Sequence, residues 1–201
     1  MSDDPIRAAY EEWTRGCDPA AARVALFSRV RDLPFRYPSS RDPRDVLAQG
    51  AGSCSGKHNL LAELFRHAGL PVRYMLCTHR FNDWPIGFPD DLHALLQKNE
   101  IIDVHNYLQV CVEGSWVDVD ATWPLALRDF GLPAGEEWDG RSSMMLSVVS
   151  DEHEEFDSDP GKAKEERLSK LTPRQRMLRK QFLERLSQWA ADLLAEAAQE
   201  K

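Results

Sequence analysis

Nowhere do apolar residues run together for the roughly 18 positions that crossing a bilayer requires. The chain also has no CxxC pair, no internal repeat and no low-complexity tract. Positive charge is not in excess either: 25 Lys and Arg against 33 Asp and Glu give a formal net charge of -8. That balance argues against a general electrostatic attraction to nucleic acid or to an anionic membrane. The one basic cluster, Arg174, Arg176, Arg179 and Lys180, is flanked by Glu165, Glu166 and Glu184 and reads as a solvated helix face. Met1-Ser2-Asp3-Asp4-Pro5 lacks the positive and apolar regions of a secretory leader, so a cytoplasmic protein is expected. In that compartment the widely spaced Cys17, Cys54, Cys77 and Cys111 are free thiols.

What is present, in 201 residues, suffices for one substantial core plus an appendage. Helices are expected over 5–15 and 19–32, the second with Asp18 as N-cap and Pro19 at its first position, and over 42–49. From Cys54 to Ala68, Leu60, Leu61, Leu64 and Phe65 recur at helical spacing and Gly69 offers a left-handed cap. Residues 71–77 read as a strand, 78–89 as an irregular loop and 90–98 as a short helix. Segments 104–112 and 116–122 alternate with period two around Glu113-Gly114-Ser115, a hairpin pattern. The acidic stretch 151–161 reads as a linker between a domain over 1–150 and a helical extension over 162–201. That extension opens at Thr172-Pro173 and carries Leu178, Phe182, Leu186, Trp189 and Leu193 on one stripe, which needs either the core or a second copy of the chain as its partner.

The segment Gly52-Ser53-Cys54-Ser55-Gly56-Lys57-His58 puts a thiol at a helix start, where unpaired amides and the macrodipole favour the thiolate. Small residues there, Ser53 among them, would let backbone amides approach a carbonyl oxygen; Gln49 could add a side-chain donor. In the hairpin, if positions 112 and 115 face each other, His105 lies opposite Thr122 and Asp120 is one diagonal step away, nearer than Asp118. Cysteine, imidazole and carboxylate are the parts of a thiolate nucleophile, its base and the group that orients the base. Trp84 and Trp123, with Phe81 and Phe88, could wall a cleft or serve as packing anchors.

The stretch from Gly52 through Leu61 and on to Gly69-Leu70-Pro71-Val72-Arg73 is similar to the helix motif of the transglutaminase-like superfamily. The segments from His105 to Val110 and from Gly114 to Thr122 resemble that family's second and third motifs. The resemblance covers about residues 30–125. It implies an α+β, papain-like core: a helix carrying the nucleophilic cysteine against an antiparallel sheet, with N-terminal helices and a C-terminal helical extension. It assigns Cys54 as nucleophile, His105 as base and acid and Asp120 as orienting carboxylate, with no cofactor and no metal. Ala121 stands where the family commonly has proline, and the oxyanion-binding tryptophan of animal transglutaminases has no identifiable counterpart. Hydrolysis of peptide or protein amides is therefore expected ahead of crosslinking. Two other readings compete: an inactive binding module interacting, or dimerising, through the C-terminal helix, and a metal site using Cys54 with His58 or Cys77 with His79.

Overall fold

A computed structural model describes residues 4–135 and 137–199. Helices α1 (Pro5–Trp13), α2 (Pro19–Arg31) and α3 (Pro43–Gln49) each begin with proline behind an aspartate N-cap whose carboxylate accepts first-turn amides. Gly50, at φ 60°, ends α3 in the left-handed conformation that only glycine adopts without strain. Helix α4 (Cys54–His67) follows, with ten buried residues, and turns out through Gly69 by the expected amide bonds to Arg66 and Phe65 carbonyls.

The sheet is antiparallel throughout, in the order β3-β2-β1-β4, with β1 Val72–Arg80, β2 Ile102–Val112, β3 Ser115–Val119 and β4 His153–Phe156. Helix α5 (Asp90–Lys98) precedes β2, and α6 (Gly161–Ser169) and α7 (Pro173–Gln199) close the chain. The β2–β3 hairpin has the expected register, Val112 opposite Ser115 and Leu108 opposite Val119. Glu113 and Gly114 both have positive φ, which fits a two-residue turn matching the strand twist. One core packs Leu60, Leu61, Leu64 and Phe65 of α4 with Leu26 and Phe27 of α2 and with Leu108, Val110 and Val119. A second gathers Met75, Cys77 and Tyr107 with Phe81, Trp84, Trp123 and the α7 residues Phe182, Leu183 and Leu186.

Strand β1 runs on to Arg80, past the expected end at 77, and the linker also differs from expectation. The supposed acidic linker contains β4, paired with β1 from Tyr74–Phe156 to Cys77–His153. Its backbone completes the sheet edge while its glutamates stay in solvent, so no apolar alternation betrays it. The α7 stripe, for which the core was one of the two expected partners, is buried against the chain's own core through Phe182, Leu183, Leu186 and Ala190. Among the described residues, no helix is long and apolar enough to cross a membrane.

Candidate active site

Cys54 begins α4 directly after Ser53, whose side chain makes no capping bond, so the first-turn amides are left without a side-chain cap beside the thiol. Burial pushes the Cys54 thiol up, but the Lys164 ammonium and the charge of His105 pull it down further, to about 5. His105 lies on β2, opposite Cys77 of β1. Burial works against its charged form, yet Asp120 and Cys54 outweigh burial and hold its imidazolium well above the ordinary histidine range. Both shifts favour the thiolate–imidazolium form of the pair.

Asp120 follows directly on β3 and is buried. Its Oδ2 accepts from His105 Nε2 at 3.0 Å and from the Ser147 amide at 2.8 Å; Oδ1 accepts from Thr122 Oγ1 at 2.6 Å and from the Thr122 amide at 3.1 Å. Burial would raise this carboxyl, but His105 outweighs it and holds it well below the usual range. Asp118 instead accepts from Gln109 Nε2 at 2.7 Å. His58 ties the elements together: Nδ1 donates to the Cys54 carbonyl at 2.7 Å, and Nε2 accepts from the Ala121 amide at 2.9 Å. With both ring nitrogens engaged by backbone, His58 is not free to join Cys54 around a metal.

Cys54 stands between two cavities. A cleft of about 210 Å³ is lined by Tyr37, Arg41, Ser53, Cys54, Lys164 and Arg179 among others. A smaller cavity of about 30 Å³ is lined by Cys54, His79, Trp84, His105 and Trp123. The Trp84 and Trp123 Nε1 groups and His79 Nδ1 are buried without a hydrogen-bond partner. Burial, only partly offset by Asp103, pushes His79 down to about 4, so it is neutral at neutral pH.

Of the expected residues, Cys54, His105, Asp120, Ser53, Trp84 and Trp123 come together. Gln49 does not: it is exposed at the end of α3 and lines neither cavity. The glycines near Cys54 have structural tasks. Gly52 exchanges backbone bonds with Pro34 and Arg36, and a Cβ on Gly56 would lie 2.6 Å from the Ser40 carbonyl oxygen.

Sequence reasoning overlooked Lys57, Asn106 and Lys164. Lys57 is fully buried and donates to the Arg31, Leu33 and Thr122 carbonyls, each at 2.8 Å. Burial lowers it to about 7, with Asp32 and Asp120 opposing the fall. Replacing it, Lys57→Met, would strand two buried carbonyls and one half-buried one and is expected to cost roughly 3 kcal/mol in chemical denaturation.

The fold and this site define a cysteine-centred member of a known group. The family model of the transglutaminase-like superfamily matches residues 9–121, more than half of the chain, and the chain belongs to that superfamily. At the family level this is the scaffold of cysteine-dependent hydrolases and transferases. No curated protein sequence matches the chain. A crystal structure described as "a Putative Cysteine Protease from Cytophaga hutchinsonii" is similar at 18% identity and a TM-score of 0.44, covering 75% of this chain and 48% of that one. This chain thus spans about half the length of that protein.

Proposed function

We propose that the protein is a cysteine-dependent amide hydrolase acting on peptide or protein substrates through a thioester on Cys54. The observation that carries this reading is the hydrogen-bonded His105–Asp120 pair set beside a helix-start cysteine whose charged form is favoured. The thiolate attacks the amide carbon, forming a C–S bond as the carbonyl π electrons move to oxygen. The oxyanion collapses, the C–N bond breaks, and the leaving nitrogen takes its proton from His105. Neutral His105 then takes a proton from water as that water attacks the thioester; collapse frees the acid and the Cys54 thiolate, leaving His105 protonated. Asp120 keeps the imidazole oriented and stabilises its charge in both steps. The first-turn amides of α4 and the unpartnered Nε1 donors of Trp84 and Trp123 suit a carbonyl oxygen developing charge in the smaller cavity. If an amine enters in place of water, the same thioester gives transamidation.

The pH profile follows from the two shifts. Activity should rise as Cys54 ionises near pH 5 and fall only as His105 loses its proton, above the ordinary imidazole range, giving a plateau across neutrality. The reading is tested by incubating the protein with a library of peptide amides and following amine release together with acyl adducts on Cys54 by mass spectrometry. Adducts and release that vanish in Cys54→Ser would support it. Release undiminished in that variant, or no adduct with any member, would instead favour a binding module.

A further inference from the structure

Lys164 lies on α6, outside the segment matched by the family model. Its side chain is buried, and Nζ donates to Ser55 Oγ at 3.0 Å and stands 3.8 Å from Cys54 Sγ. Ser55 Oγ in turn donates to Asn106 Oδ1 at 2.6 Å, fixing the acceptor that holds the ammonium in place. A buried charge needs a counter-charge. Asp103, the nearby buried carboxylate, is engaged by the Arg179 guanidinium at 2.6 Å and by the Val104 amide at 2.7 Å. Among the described residues, no carboxylate lies within ion-pair distance of Lys164. The anion in direct contact with it is the sulfur of Cys54, while Asp103 acts on it from farther off.

We infer that Lys164 is a catalytic residue of this site: its ammonium is the counter-charge of the Cys54 thiolate, so the C-terminal extension is part of the active site. This rests on the thioester reading of Cys54 and adds a third charged partner to it. As the C–S bond forms, negative charge leaves sulfur for the carbonyl oxygen in the smaller cavity, which Lys164 does not line, so the ammonium acts on sulfur before attack and again when the thioester collapses and sulfur regains its charge. His105 hands a proton to the leaving group; Lys164 keeps its own.

Other groups face Cys54 and would have to be held constant in any titration. They are His105 and Asp103 on β2, Cys77 and His79 on β1, Lys57 on α4, Arg179 on α7, Glu165 on α6 and Arg41 in the loop before α3. The test is a titration of thiolate ultraviolet absorbance, taken as the difference between each protein and its Cys54→Ala counterpart. It is made on the intact chain and on Lys164→Met, Lys164→Gln and Lys164→Arg, with thermal melting alongside. The expected result is a midpoint that rises by about one pH unit or more in the Met and Gln variants and stays close to the parent in the Arg variant. Gln keeps a donor for Ser55 and carries the test if the Met variant does not fold. A low parental midpoint that neither neutral variant moves would overturn the role of Lys164 while leaving the thioester reading intact. An ordinary parental midpoint would overturn both.

Discussion

His105→Ala should lower amide turnover by roughly 10⁴-fold or more, the loss that follows when a member of a nucleophile–base unit is removed. Two functions go together at this position. Cys54 loses a positive charge that favours its thiolate, and the leaving nitrogen loses its proton donor. Because the residues act as a unit, Cys54→Ala and the double variant should fall to about the same residual rate, not to a product of the two losses. Steady-state rates on one amide substrate, measured for the parent, both single variants and the double variant, check this. A His105→Ala loss of only a few-fold would mean that the imidazole orients the thiol without moving a proton.

Phe182→Ala carries the second large effect, on stability. Phe182 is fully buried, with ring centroids 4.6 Å from Phe81 and 5.6 Å from Phe88, where α7 closes the second core. Truncation leaves a cavity that the surrounding aromatics cannot fill, at an expected cost of about 3–5 kcal/mol in denaturant unfolding. The same change loosens the helix that carries Arg179, and through Asp103 it disturbs the wall around Cys54. A cost under about 1 kcal/mol would indicate that the extension is docked loosely and is not part of the folded core.

How far the fold could be read in advance depended on where the information is local. The hairpin register followed from alternation and a two-residue turn, and from it came the preference for Asp120 over Asp118, which is also where the structure puts the His105 contact. Helix α4 was legible because its apolar spacing and Gly69 cap lie within one segment. Strand β4 was hidden because an exposed edge strand needs only backbone pairing, and His153-Glu154-Glu155-Phe156 looks like solvated chain. Lys164 sits in a charged run, Lys162-Ala163-Lys164-Glu165-Glu166, where no local pattern separates a buried ammonium from its solvent-facing neighbours. Lys57 was hidden because its three carbonyl partners are distant in sequence, in α2, the turn after it and the segment after β3. For Gln49 the sequence leaves an oxyanion donor and a surface glutamine in a helix-ending turn equally open, because nearness in sequence does not decide nearness in space; Gly50 turns the chain and leaves the Gln49 side chain in solvent.

The rate of Cys54 alkylation by iodoacetamide as a function of pH, with Cys54→Ala supplying the background of the other three thiols, tests the thiolate–imidazolium pair most directly. A pair with the geometry described here labels with a midpoint near pH 5, and the midpoint moves upward in His105→Ala. Labelling with the midpoint of an ordinary thiol, at about pH 8.5 and unmoved by the histidine change, would contradict an activated Cys54.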